Sequence, residues 1–426
     1  MNRRWWVALL LFLLTAINYI DRVALSLAAK PVATEFGLTP VQLGYVFSSF
    51  LWTYTFALIP MGILVDRVGA KRVAGFGLAL WSLATACTGF ASSLPILILT
   101  RLAMGAGEAT TNPAGARIVR EWFPAGERGT ANAVFNSGAF AGPAICAIVV
   151  GALLDTIGWR ASFLAAAVLG GVWLVAWWWV YGPPERVRWL SAGERDYIVT
   201  QRQMARADVQ DRSSLAGLAA ILSQPAMWGL VIAQGCSAYC SYLFLSWLPS
   251  YLQVAKHLTI ARSGLFTAVP YLLAMVFCIA IGRLSDRIIS RNRGVPGGRR
   301  YIIAISMLTA ACMIAAAPFT DSTPMLLGML TVALTGIAVN TSQLFALLSD
   351  LLPDPTNVGK AMGVMVVGGN LFGLLAPILT GYVIAATGSY DRAFVLAGVL
   401  MLAGAACCLG LARTTIRIGM PRVLPT

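Results

Sequence analysis

Four ionisable side chains interrupt long apolar runs of this sequence: Asp21 and Arg22 in "NYIDRVALS", and Arg101 and Glu108 in "RLAMGAGEA". Charge inside a membrane segment is expensive and marks a pathway for ions or charged substrates. A guanidinium keeps its proton in proteins and pairs a carboxylate through two parallel hydrogen bonds, so Arg22 and Arg101 are candidate fixed charges, and one that faces a cavity suits an organic anion. Removing a carboxyl group from water favours its neutral form, and a neighbouring cation favours the ionised one. Asp21 and Glu108 are therefore candidates for taking up and releasing protons. Neighbours on a helix point about 100° apart, so Asp21 and Arg22 meet different surroundings. Arg101 and Glu108 share one face, about 10.5 Å apart along the axis, and Asn112 continues that face. The plain alternative is a static ion-pair network that holds the two helices together. The second half offers only neutral polar groups in its apolar runs, such as Gln234, Asn340, Gln343 and Asn370. The single histidine, His257, has no nucleophile, metal-ligand spacing or nucleotide loop with it, which argues against an enzyme or a metal site.

These residues need apolar elements to carry them. The chain is 58% hydrophobic and 11% charged over 426 residues, against about 25% charged in soluble domains, so it is a polytopic membrane protein. Windows of bilayer length fall near 6–28, 41–63, 73–92, 95–116, 130–153, 161–181, 226–252, 263–283, 301–319, 324–348, 359–385 and 392–412. With the N-terminus inside, 24 of the 31 Lys and Arg residues fall in inner segments and five in outer loops, which puts both termini in the cytoplasm. The net charge of +14 then faces anionic head groups, and nucleic acid is excluded as a partner. The first apolar run is too long for a cleavable signal and stays as a helix. The eight cysteines lie almost wholly in apolar runs and read as small buried hydrophobes, with no disulfide or metal expected. A ratio of 27 Arg to four Lys fits a GC-rich bacterial gene, hence a bacterial inner membrane.

The chain divides into a bundle over 1–182, a linker over 183–223 and a bundle over 224–426. Ser191-x-x-Glu194 is a capping box that should start a short surface helix in the linker. The halves also repeat. "GILVDRVGAKR" at 62–72 returns 220 residues later as "GRLSDRIISRNR", so that Asp66-Arg67 matches Asp286-Arg287. Two such halves imply pseudo-twofold symmetry with a central site. Gly62 would let its helix approach a neighbour, Gly69 turns the loop, and Asp66 can pair with the basic cluster of Arg67, Lys71 and Arg72 or with a helix N-terminus. The set, with Asp286 and Arg287, would act as a conformational latch.

Gly62-x-x-x-Asp66-Arg67-x-Gly69-x-Lys71-Arg72 resembles the loop motif of the major facilitator superfamily, and Arg101-x-x-x-Gly105-x-Gly107-Glu108 supports the same likeness. It implies an all-α membrane fold of twelve transmembrane helices in two six-helix bundles. "NYIDR", Tyr54 and "RLAMGAGEA" together resemble the anion:cation symporter family, which includes proton-coupled sugar-acid importers and vesicular glutamate and sialic acid transporters. That resemblance implies Asp21 and Glu108 as the protonatable pair, Arg22 as the carboxylate ligand and Tyr19 and Tyr54 in the site wall. It places Arg101 in the charge network and adds Ser342 and Asn370 as substrate contacts. Ala139, Phe345 and Val366 stand where sugar-acid carriers tend to have an amide, a Trp and an Asn. Fewer partners for hydroxyls argue for a less hydroxylated anion. The expectation is a monomeric proton-coupled importer of an organic anion, with the proton gradient as its energy source and no cofactor. The alternative is a proton-coupled antiporter exporting drugs or organic anions. "GAFAGP" at 138–143 partly resembles the helix-five sequence of such exporters, but Ala147-Ile148 replaces the expected glycine pair.

Overall fold

The protein is described here by a computed structural model covering residues 3–124, 126–201, 215–291, 298–352 and 358–416. In hydrocarbon every backbone N–H and C=O must be satisfied within its own segment, so apolar runs of bilayer length become helices. In chain order these are α1 (Trp5–Leu27), α2 (Ala29–Phe36), α3 (Pro40–Val68), α4 (Ala70–Gly89), α5 (Leu94–Glu108), α6 (Thr111–Trp122), α7 (Arg128–Val180) and α8 (Ala192–Gln201). They continue as α9 (Leu215–Leu222), α10 (Pro225–Val254), α11 (Ile260–Arg291), α12 (Arg299–Ala316), α13 (Thr323–Leu351), α14 (Val358–Thr387) and α15 (Asp391–Leu411).

Among the described residues nine helices are long and apolar enough to cross a membrane. One of them, α7, holds two spans that turn over at Gly158, whose φ of 75° favours glycine. With α4, and with α5 and α6 as one broken span, the count reaches the expected twelve. Several helices outrun their hydropathy windows, as α3 does by reaching Val68. Hydropathy marks only the hydrocarbon, and the hydrogen-bonded rod continues into the head-group region.

Two breaks have a local cause. Pro113 has no N–H and its ring crowds the carbonyl four residues back, at Ala109, which is where α5 gives way to α6. Pro31 does the same to Leu27, where α1 gives way to α2. The Leu27 carbonyl freed in this way accepts from Gln253 Nε2 at 3.3 Å.

By contacts the chain forms two compact units, one of Met1–Ala207 with Leu245–Leu272, the other of Asp208–Phe244 with Leu273–Thr426. The end of α10 and the start of α11 thus group with the first unit. Within that unit α1 packs on α7, α3 on α5, and α4 on both α5 and α7. Two glycines allow close helix approaches in this unit: a Cβ at Gly105 of α5 would strike the Phe50 carbonyl of α3, and one at Gly142 of α7 would strike Ala16 and Tyr19 of α1. Trp173, Trp177 and Tyr181 stack along α7 with centroids 4.9 and 4.0 Å apart. Within the second unit α12 packs on α13 and α15, and Phe244 meets Phe394 edge to face at 5.8 Å.

The surface helix α8 forms with Glu194 N donating to Ser191 Oγ at 3.3 Å. The reverse arm of the capping box is replaced by a longer-range contact. The Glu194 carboxylate accepts from the backbone N–H of Arg3 and Arg4 at 3.1 and 3.0 Å, and from Arg4 Nη1 at 3.1 Å. The rest of the Arg4 fork sits on Glu127 at 2.8 and 2.7 Å. This cluster fastens α8 to the start of α1.

Candidate functional site

The buried charges of the first unit form two neighbouring groups, and helical geometry separates them as the spacing implied. Arg22 points from α1 to α5, where its Nε donates to Glu108 Oε2 at 2.8 Å, with the two side chains 3% and 0% exposed. Its guanidinium carbon lies 4.8, 5.0 and 4.9 Å from the ring centroids of Tyr19, Phe50 and Tyr54. A cation over aromatic faces gains from their quadrupoles in a desolvated place. Asn112, at the start of α6, donates to the Tyr54 hydroxyl at 3.0 Å and so fixes one wall of this cage.

Asp21 faces the other way, towards α4 and α5. Its carboxyl group looks onto Trp81, Thr85 and Arg101, and its Oδ1 has no hydrogen-bond partner among the described residues. Arg101 does not form a salt bridge with it. Arg101 Nη1 instead donates to the Asp21 carbonyl at 3.3 Å and to Met104 Sδ at 3.1 Å, with its guanidinium carbon 5.2 Å from the Phe50 centroid. Several atoms facing this pair have no hydrogen-bond partner within bonding distance among the described residues: Trp81 Nε1, Thr85 Oγ1, Arg101 Nε and Glu108 Oε1. Buried polar groups are normally bonded, so such a set points to a place where protons, water or a ligand exchange.

Arg22, treated from sequence as the available cation, is thus engaged by Glu108. A guanidinium taken out of water needs a carboxylate, and α5 presents one directly opposite. Sequence reasoning missed four residues here. Asn18 lies one turn before Arg22 on the same face of α1, close to Glu108, and its spacing of four was a readable sign. Phe50, shared by both guanidinium groups, lies four residues before Tyr54 and was equally readable. Trp81 and Thr85 come from α4, and nothing in their local sequence connects them to Asp21.

Ser342 and Asn370 lie in the second unit, on α13 and α14. Ser342 is exposed, and Asn370 Nδ2 is buried without a partner among the described residues. The loop residues behave unevenly. Gly69 has φ of 96°, as a turn glycine should. Gly62 supports no close approach, since a Cβ there would meet nothing within 4 Å. Asp66 lies 3.7 Å from Arg117 of α6 rather than in the cluster of Arg67, Lys71 and Arg72. The Arg117 guanidinium also binds the Val65 and Asp66 carbonyls at 2.7 and 3.2 Å, and thereby caps the end of α3. Arg67 and Arg72 are exposed, and Lys71 Nζ donates to the Trp178 carbonyl at 3.1 Å. In the repeat copy Arg287 is exposed on α11, and the Asp286 side chain lies outside the described residues. Among the described residues no three His, Cys, Asp or Glu side chains gather as metal ligands.

Comparison with known proteins agrees with this architecture. The sequence pattern of the Major Facilitator Superfamily matches residues 11–298 and 297–418. The chain is 31% identical over 411 residues to the probable galactarate/D-glucarate transporter GudP of Escherichia coli K12, covering 93% of this chain and 91% of that one. It is 30% identical over 423 residues to the D-galactonate transporter of Escherichia coli O6:H1 strain CFT073, covering 98% and 97%. A bacterial homologue of the human lysosomal transporter Spinster superposes with a TM-score of 0.79 at 19% identity, over 99% of each chain, and shares the fold. With twelve spans, a repeated loop sequence and matches along nearly its whole length, the chain belongs to the major facilitator superfamily and is a multi-pass membrane transporter rather than an enzyme.

Proposed function

We propose that the protein is a proton-coupled symporter that imports an organic anion, a sugar acid or a less hydroxylated carboxylate, by alternating access. The relatives named above carry galactarate, glucarate or galactonate in their names, all of them carboxylates. The observation that carries the coupling is the buried pair of Arg22 and Glu108 at 2.8 Å. A substrate carboxylate and Glu108 compete for one guanidinium. Two carboxylates on one cation in a desolvated cage leave a net negative charge there, which is prohibitive without a proton. Glu108 therefore takes up a proton as the anion binds Arg22, and gives it back when the anion leaves. Asp21, beside Arg101 and the α4 donors, is the second protonatable group. Tyr19 and Tyr54 wall the anion, Ser342 and Asn370 serve its hydroxyls, and Gly62, Asp66, Arg67, Gly69, Lys71 and Arg72 with Asp286 and Arg287 act as the latch. The proton gradient is the energy source, in a bacterial inner membrane with both termini in the cytoplasm, and the monomer is the working unit.

The test is uptake of labelled galactarate and galactonate into proteoliposomes. An imposed inward proton gradient is expected to drive accumulation above equilibrium, and a protonophore to abolish it. Glu108→Gln keeps a hydrogen bond to Arg22 but cannot carry the proton, so it should exchange anion for anion and fail to accumulate it. Accumulation by Glu108→Gln at the wild-type level contradicts the role of Glu108.

A further inference from the structure

A groove of about 500 Å³ runs down the outside of the first unit at the cytoplasmic end of α1, lined by Arg3, Trp6, Leu9, Leu10, Leu13, Val180 and Trp189. Trp6, Leu9 and Leu13 recur at helical spacing on one face of α1 and are 49%, 41% and 37% exposed. On a transmembrane helix that exposure is to acyl chains. Ten residues separate Arg3 from Leu13, which is about 15 Å at the helical rise. Half of the roughly 30 Å hydrocarbon core is the same length, so the groove spans one leaflet with its only cation at the head-group end.

That end is built rather than incidental. Trp189 stacks on Trp122 with centroids 5.5 Å apart and planes at 12°, and its Nε1 donates to the Val180 carbonyl at 2.9 Å. Arg3 Nη1 donates to the Trp189 carbonyl, and among the described residues Arg3 Nε and Nη2 donate to no protein acceptor. The Glu194 and Glu127 carboxylates are already held by Arg4 and by the Arg3 and Arg4 backbone. Arg186 and Arg188 lie exposed on the segment that carries Trp189 and, against one exposed carboxylate there, Glu185, leave it net positive. Trp179, 86% exposed at the end of α7, continues the aromatic belt that marks a head-group region.

We propose that this groove is a retained-lipid site selective for an anionic glycerophospholipid of the cytoplasmic leaflet. The phosphate sits on the free side of the Arg3 fork, a geometry guanidinium favours, and one acyl chain lies along Trp6, Leu9 and Leu13. Any bilayer lipid touches this face, so the claim is selective retention. A lipid held there joins the start of α1, the end of α7 and Trp189 in the segment before α8, and steadies the linker helix alongside the Arg4 cluster. The site is independent of the transport cycle proposed above.

Native mass spectrometry and thermal unfolding of the full chain in detergent, with phosphatidylglycerol or phosphatidylcholine added, test it. Wild type is expected to retain one phosphatidylglycerol preferentially and to melt at a higher temperature with it than with phosphatidylcholine. Arg3→Gln should lower that preference roughly fivefold, the worth of one arginine near an anionic head group, and Arg3→Lys should restore part of it. Leu9→Trp fills the groove and should remove retention while the protein stays folded. Arg413→Gln, at an exposed cation beyond the end of α15, should leave that preference unchanged. Inorganic phosphate alone should not raise the melting temperature. Equal retention of both lipids by wild type, or an unchanged preference in Arg3→Gln and Leu9→Trp, overturns the proposal, as does full stabilisation by phosphate.

Discussion

Arg22 is surrounded by three ring faces and one carboxylate, so whatever binds it must enter a finished cage rather than an open patch. The cage depends on small supports. Asn112 reaches Tyr54 across 58 positions of sequence with one hydrogen bond of 3.0 Å. Losing a single neutral hydrogen bond is worth about 1 kcal/mol, which is roughly a fivefold change in an equilibrium constant. Asn112→Ala should therefore raise KM for the transported anion about fivefold with little effect on the maximal rate. Tyr54→Phe removes the same bond from its other end, so the double variant should be no worse than the worse single one. Additive losses in initial-rate uptake assays would show that Asn112 acts on something other than Tyr54.

The helices hold these side chains through contacts that leave no slack. Gly105 brings α5 against the Phe50 carbonyl of α3, and this contact presents Phe50 to both guanidinium groups. Gly105→Leu should lower the melting temperature in detergent sharply, since overpacking at such a contact costs about 1–3 kcal/mol or more. Gly62→Ala, with open space around it, should leave stability unchanged. Any loss of transport in that variant would belong to the latch and not to folding. At the start of α1, hydrogen bonds from Arg4 hold the Glu127 carboxyl below its ordinary value of 4.5. A carboxyl depressed in the folded state adds stability above its ordinary value and gives it up as pH falls below that value. Hydrogen exchange in α8, Ala192–Gln201, corrected for intrinsic rates, should show the helix docked at neutral pH and released on acidification below that range. Glu127→Gln should weaken docking at neutral pH and flatten the profile. An unchanged profile would take the pH response away from Arg4 and Glu127.

At the scale of the molecule, the bilayer made much of the architecture readable. Hydrocarbon thickness sets span length and backbone satisfaction forces helices, so the spans and the repeat around Asp66 and Asp286 could be found by counting. The division of Asp21 from Arg22 was readable too, because one residue on a helix is a fixed rotation. What could not be read was which residue on a distant helix would meet them. Trp81 and Thr85 carry no mark in their own sequence, and the pairing of Asp66 with Arg117 depends on how α3 and α6 end side by side. The engagement of Arg22 by Glu108 lay between these cases. Both were singled out, but only the fold puts their side chains 2.8 Å apart across α1 and α5, and that contact turns two candidate roles into one competition. The most direct measurement of that competition is internal pH in anion-loaded and empty proteoliposomes after external galactarate or galactonate is added. Wild type should acidify the empty interior as the anion enters, whereas Glu108→Gln should exchange labelled for unlabelled anion without acidification. Acidification by Glu108→Gln at the wild-type rate would contradict the account.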